Sequence, residues 1–240
     1  MSVRLHDIGK LITPLEIMDK KDRLADNYPR VMDRLDKIRL LIKIEYLQGM
    51  ISETEKANCL QRVQEAKELI HTVNTIGFLT EELENRILDL ATWTYMEEDG
   101  TKYPWITEDE KEKLLVRKGT LTEDERLIMQ SHVEMTQRML EQMEFGDEYK
   151  DVVTFASQHH ERLDGSGYPR GIDADKICRE VRLLVILDVF EALTARDRPY
   201  KKAMPVERAF GILYQMAEQR EIDHGILEWF EESQAWVEVK

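Results

Sequence analysis

The sequence predicts an all-α protein, on three observations. Glycine and proline are scarce, at 11 and 6 in 240 residues. Apolar residues recur at helical spacing through nearly every segment, and no run alternates apolar and polar residues as a half-buried strand does. With 42% hydrophobic residues the chain buries a core, as one large domain or two small ones, and is not disordered.

From Leu24 the apolar positions Leu24, Tyr28, Val31, Leu35, Ile38 and Ile42 share one seam of a long helix, with Pro29 setting its opening. Gly49 marks a turn. Ser52 and Glu55 then fit a capping box for a second helix faced by Leu60, Val63, Ile70 and Val73, so the two form an antiparallel hairpin. Thr80 caps a third helix carrying Leu83, Ile87 and Leu90, and a turn-rich stretch from Asp99 to Trp105 precedes a short charged helix ending near Arg117. A second capping box, Thr122 with Glu125, opens a helix bearing Leu127, Ile128, His132, Met135, Met139 and Leu140. A helix over 148–161 ends in His159-His160, followed at once by the turn Asp164-Gly165-Ser166-Gly167-Tyr168-Pro169. A helix over 176–194 is apolar from Leu183 to Phe190 apart from Asp188, and amphipathic helices from Val206 and Ile222 close the chain.

Charge narrows the function. With 48 acidic against 34 basic side chains the net charge is -14, which repels nucleic-acid polymers. No apolar run approaches the ~18 residues of a spanning helix, and the first twenty residues lack a signal peptide's apolar centre, so the expectation is a cytoplasmic protein without membrane contact. Cys59 and Cys178 are too few for a disulfide framework or a thiolate zinc site and read as small buried hydrophobes. His71 and His224 read as surface or packing residues, and the methionines at helical spacing, Met129, Met135, Met139 and Met143, as core filler.

The chemistry-bearing residues are His6-Asp7, His132, His159-His160 and Asp188, set at helix ends or within apolar surroundings. A buried carboxylate must be paired, protonated or metal-bound. Taken singly, each histidine is a satisfied core residue. Together, six N and O ligands without thiolate suit two neighbouring divalent ions, and the imidazole–carboxylate mixture favours Fe or Mn over structural zinc.

His6-Asp7-Ile8-Gly9-Lys10, His132, the run from His159 to Pro169, Asp188 to Thr194, and Arg198-Pro199-Tyr200-Lys201 together resemble the HD-GYP domain, a bacterial signal-transduction branch of the HD phosphohydrolases. The resemblance covers residues 1–20 and about 118–220. It implies a helical, two-metal phosphodiesterase that hydrolyses cyclic di-GMP to its linear dinucleotide or to GMP. By position, His6, Asp7, His132, His159, His160 and Asp188 are then metal ligands, with Asp7 bridging. Lys10 faces the scissile phosphate, Arg198 and Lys201 hold a substrate phosphate, and the loop of Gly167, Tyr168 and Pro169 lies beside the site. The cluster Arg196, Arg198, Lys201 and Lys202 is either that phosphate clamp or a solvated basic helix end.

Two departures from the family pattern follow. The family places a further ligand helix upstream of the HD pair, whereas only five residues precede His6 here. About a hundred residues, 21–117, also separate segments that are nearly continuous in the family. They predict a helical arm inserted into a core of 1–20 and 118–240, its seam packed internally or used for a homodimer or a regulatory partner. The alternatives to the phosphodiesterase are a signalling module that binds nucleotide or a partner without turnover, and a phosphohydrolase for another phosphorylated nucleotide.

Overall fold

A computed structural model of the chain describes residues 2–97, 99–195 and 204–237. Arg196, Arg198, Lys201 and Lys202 lie outside the described residues. In chain order the elements are α1 (Ser2–Leu5), a 3-10 helix Ile8–Ile12, α2 (Leu15–Met18), α3 (Asn27–Leu47), α4 (Glu53–Thr75), α5 (Glu81–Leu90), β1 (Thr94–Met96), β2 (Lys102–Pro104), α6 (Glu108–Leu114), α7 (Glu123–Gln130), α8 (His132–Leu140), a 3-10 turn Asp147–Tyr149, α9 (Val152–Ala156), a 3-10 turn Ala174–Lys176, α10 (Arg179–Thr194), α11 (Val206–Glu218), α12 (His224–Ser233) and a last 3-10 turn Ala235–Val237. The fold is all-α, as the sequence predicts. Among the described residues no helix is long and apolar enough to cross a membrane. The chain divides into two compact units, Leu15–Arg126 and the pairing of Met1–Pro14 with Leu127–Lys240.

Within Leu15–Arg126 the core is the α3–α4 hairpin. Val31, Leu35, Ile38 and Ile42 meet Val63, Ala66, Leu69, Ile70 and Val73, with Ile87, Leu90, Trp105 and Leu114 closing the cluster. The seam from Val31 onward is the predicted one, but α3 begins at Asn27: Ala25 is left-handed at φ 46, and its N–H is taken by Asp22 Oδ1 at 2.8 Å. Pro29 is the third residue of α3, where an amide has no intrahelical partner to lose. The Ser52–Glu55 box caps α4 and Thr80 caps α5. A further box, Thr107 with Glu110, caps α6, and the buried Glu110 also holds Arg34 through two bonds of 2.6 and 3.0 Å.

Arg23 is completely buried. Its guanidinium donates to the carbonyls of Val73 at 2.6 Å, Ile76, and Val116 at 3.1 and 3.0 Å, satisfying the last carbonyls of α4, where a cation is favoured by the helix dipole. Nearby, Lys20 is tied to Glu125 at 2.6 Å, and the Thr120 hydroxyl donates to the Lys20 carbonyl at 3.3 Å. A two-stranded antiparallel sheet that the sequence reading does not expect pairs β1, before the turn-rich stretch, with β2 inside it, Tyr95 lying opposite Tyr103. Three-residue strands are too short to display alternation. Trp93 and Trp105 flank them edge-to-face at 5.0 Å, and Arg62 lies 3.9 Å from the Trp93 ring.

In the other unit α10, α11 and α12 enclose a triangle of Phe190, Phe210 and Phe230, with ring centroids 5.3, 5.3 and 5.9 Å apart. A smaller cluster of Leu140, Val152 and Ala156, with Leu5 and Ile8 against it, joins α8, α9 and the N-terminal segment. Two predicted helices are corrected here. The one opened by Thr122 is interrupted at Ser131, whose hydroxyl donates to the Ile128 carbonyl at 2.7 Å, a back-bond that bends helices. The one expected over 148–161 shrinks to α9, because side chains take the carbonyls that would continue it: Ser157 Oγ on Thr154 at 3.3 Å and His159 Nδ1 on Ala156 at 2.7 Å. Cys59 and Cys178 are free and half-buried rather than fully buried.

Candidate metal centre

The N-terminal segment reaches the site through a 3-10 turn. Asp7 stands at the start of that turn but makes no side-chain cap bond, so its carboxylate is available to the cluster. The segment is docked on α8. Gly9 N–H donates to Thr136 Oγ1 at 2.9 Å, and the Thr136 hydroxyl donates to the His6 carbonyl at 3.0 Å. No side chain fits at Gly9, where a Cβ would collide with the His132 carbonyl oxygen and lie 2.6 Å from the Thr136 amide nitrogen.

The structure brings all six predicted ligands together in two groups that share Asp7. Asp7, His132, His159 and His160 form one, and His6, Asp7 and Asp188 the other; in each, the ligand atoms lie within 4.8 Å of one another. Asp7 Oδ1 is 3.3 Å from His132 Nε2 and 3.6 Å from His159 Nε2. His6 Nε2 lies 3.4 Å from Asp7 Oδ2 and 3.5 Å from Asp188 Oδ1. The Lys10 ammonium rests on Asp7 Oδ2 at 2.5 Å.

The tautomers are set from behind. His132 Nδ1 donates to the Met129 carbonyl at 2.6 Å and His159 Nδ1 to the Ala156 carbonyl at 2.7 Å. Each ring therefore aims Nε2 at the interior, as a lone pair unless it carries a proton. Both Nε2 atoms and Asp7 Oδ1 are buried without a hydrogen-bond partner. Three acceptors converging in this way repel unless a positive centre stands among them, either a proton on a ring or a metal ion. Protons cannot serve every ring, because centroid separations of 4.1, 5.2 and 5.7 Å pack the three imidazoles together. Burial and then the neighbouring His159 push His160 down to about 3, leaving it neutral at physiological pH. Burial pushes Asp7 up, but the Lys10 ammonium on its Oδ2 opposes this and keeps the carboxyl below the usual carboxylate range. Burial likewise opposes ionisation of Asp188, and His6, His160 and His159 reverse it. The donor set thus fits a divalent cation: carboxylates and imidazole nitrogens aimed at common points.

The glycine-rich loop lies against the same cluster. Tyr168 stacks on His160 at 4.7 Å and its N–H donates to the His160 carbonyl at 3.1 Å. Burial, followed by the Asp188 and Asp7 charges, pushes the Tyr168 phenol well up. A side chain at Gly167 would strike the Arg162 amide and Glu161 backbone, and Pro169 follows Tyr168 through a cis peptide bond. Buried Glu161 shapes the loop by accepting from Arg170 N–H at 2.9 Å and Ile172 N–H at 3.1 Å. Arg198 and Lys201 lie outside the described residues.

Sequence reasoning missed Thr136, the role of Glu161, and the carbonyls of Met129 and Ala156. The first gives no motif signal, and any residue supplies a carbonyl. His71 accepts or donates at Tyr28 OH, 2.9 Å away, and His224 lies 3.5 Å from Glu228; neither joins the cluster.

Comparison with known proteins adds two findings. The HD domain profile matches residues 109–226, a span holding His132, His159, His160 and Asp188. Among curated relatives, the chain is 38% identical over 100 residues, 42% of its length and 21% of the relative's, to a 3'3'-cGAMP-specific phosphodiesterase of Vibrio cholerae. It is 38% identical over 106 residues (43% and 27%) to a cyclic di-GMP phosphodiesterase response regulator of Xanthomonas campestris. It is 36% identical over 104 residues (41% and 26%) to a cyclic di-GMP phosphodiesterase of Thermotoga maritima. The matched stretches span about a quarter of these relatives.

Proposed function

We infer from the HD-GYP-type domain that this chain carries that it is a metal-dependent phosphodiesterase of cyclic dinucleotides. The observation that carries this reading is the convergence of Asp7 Oδ1, His132 Nε2 and His159 Nε2, all buried and without hydrogen bonds. The residues belong to two groups joined by Asp7, so we assign two divalent ions, Fe or Mn, with Asp7 shared. His132, His159 and His160 would hold one ion; His6 and Asp188 would hold the other. When bound, such a pair lowers the pKa of a water and stabilises charge on the phosphoryl oxygens.

The chain's own groups supply the rest. The carbonyls of Met129 and Ala156 lock the His132 and His159 rings with Nε2 inward, so little reorganisation accompanies loading. Lys10, half-buried at the edge of the cluster beside Asp7, places an ammonium where a scissile phosphate approaches and offsets part of the chain's net charge of -14. Gly167, Tyr168 and Pro169 form a wall for the substrate, and Arg198 and Lys201 complete the grip on its phosphates. We assign residues 1–20 and 118–240 to the catalytic core and 21–117 to an inserted arm that offers a surface for a second copy or a regulatory partner.

Metal ions and phosphate ligands read the phosphodiester and not the base, so cyclic di-GMP and 3'3'-cGAMP are both assayed. The test is chromatographic detection of linear product by anaerobically purified chain supplied with Mn(II) or Fe(II), beside an Asp7→Ala control. Product from the wild type alone is expected. Metal and nucleotide bound without product would replace the enzyme with a binding module.

A further inference from the structure

We propose that Thr136 is a positioning residue that sets the metal centre by clamping the His6-Asp7 segment to the helix carrying His132. The proposal rests on the metal site described above. Thr136 lies one turn beyond His132 on α8 and is completely buried. Its single hydroxyl does two things: it accepts from Gly9 N–H at 2.9 Å and donates to the His6 carbonyl at 3.0 Å. The bonded groups bracket Asp7 on both sides in the chain. The turn from His6 to Gly9 is thereby fixed in register with α8, where the absent side chain of Gly9 lets the two backbones approach.

This has a geometric consequence. Asp7 belongs to the N-terminal segment and His132 to α8, 125 residues apart in sequence (132 − 7), yet their ligand atoms must meet within 3.3 Å. Ile8 contributes apolar contact to the small Leu140 cluster, and apolar contact is non-directional. The hydroxyl bridge is directional, so it fixes where the carboxylate points. It stands behind the ligands much as the Met129 and Ala156 carbonyls stand behind the histidine rings, and partners of this kind typically carry a 10–100-fold effect on metal affinity.

The experiment compares wild type, Thr136→Val and Thr136→Ser, each as the full chain stripped of metal and titrated with Mn(II). Free Mn(II) is followed by its electron paramagnetic resonance signal at a temperature where circular dichroism shows each variant folded. Valine keeps the shape and removes both bonds; serine keeps both bonds. The expected result is an affinity weakened roughly 10–100-fold in Thr136→Val and restored to near wild type in Thr136→Ser, with helical content unchanged. A purely structural role would lower the melting temperature of Thr136→Val and leave the Mn(II) affinity of the folded protein where it was, which overturns the proposal. If Thr136→Val does not fold, Thr136→Ala supplies the same comparison and must bind Mn(II) more weakly than Thr136→Ser. Wild type that binds no Mn(II) overturns the metal site itself, an outcome distinct from wild type and valine variant binding equally well.

Discussion

Alanine at Gly9 adds one carbon where the structure has no room for it. Built on the present backbone, that carbon collides with the His132 carbonyl oxygen and lies 2.6 Å from the Thr136 nitrogen and 2.8 Å from its Oγ1. The first two neighbours are helix backbone, so neither can swing aside as a flexible side chain would. Either α8 or the N-terminal segment must move. Overpacking of this kind costs about 1–3 kcal/mol, and a rigid neighbour places Gly9→Ala at about 3. For a chain of this size that lowers the thermal midpoint by roughly 6–12 °C. Because the displaced segment carries His6 and Asp7, Mn(II) affinity falls with it. Gly211→Ala is the internal control. Gly211 lies within α11, and a Cβ there meets nothing within 4 Å, so the same substitution gains about 0.5–1 kcal/mol from helix propensity. Calorimetric melts of both variants, with Mn(II) titrations, make the comparison. A Gly9→Ala protein with the wild-type midpoint and affinity would refute the docking of this segment.

Three further outcomes follow. Arg23→Met removes the donor from three carbonyls, the buried one of Val73 and the part-buried ones of Ile76 and Val116. At about 1 kcal/mol each, less the relief of no longer burying a charge, urea unfolding should record a loss of about 2–3 kcal/mol, and Arg23→Lys should not rescue it, since one ammonium lacks the planar fork. Burial pushes Asp223 up, but the Arg182 guanidinium at 2.8 Å and the Ile226 N–H hold its carboxyl below 3.8. A depressed carboxylate contributes stability that is present above its unfolded pKa and lost as pH falls through the folded one; Asp223→Asn should therefore melt lower than wild type at pH 7, with the gap closing in acid below about pH 4, and a gap independent of pH would contradict this. Adding Mn(II) to metal-free wild type should raise its midpoint, by about 2.7 kcal/mol of added stability at a hundredfold excess over Kd, and His159→Gln should lose most of that gain.

The helices that the sequence displays most plainly are those with a long apolar seam or a cap. Val31, Leu35, Ile38 and Ile42 are buried on α3 at the expected spacing, and Ser52 and Glu55 close their box. The Thr107–Glu110 box was equally visible in pattern and went unread, because so short and charged a helix offers no seam to draw attention to it. What stayed hidden depends on contacts remote in sequence or on backbone atoms. Arg23 reads as a surface cation until α4 ends around it, and Thr136 reads as one polar residue on a helix until His6 and Gly9 arrive. The end of α9 depends on His159 taking the Ala156 carbonyl, a choice that local propensity does not encode. At the candidate site the six candidate ligands are legible as a set through the motifs, and the structure gathers them around Asp7. The orientation of each ring was not legible, since it is imposed by carbonyls of Met129 and Ala156 that any residue could provide.

The candidate site is proposed to be a two-metal centre with Asp7 shared between the ions. Its most direct test is metal stoichiometry, measured by elemental analysis and electron paramagnetic resonance on Mn(II)-loaded wild type, Asp188→Ala and Asp7→Ala. Two ions with magnetic coupling are expected in the wild type, one uncoupled ion in Asp188→Ala, and loss of both sites in Asp7→Ala. Wild-type stoichiometry in Asp7→Ala, or no specific Mn(II) or Fe(II) in the wild type, would contradict it.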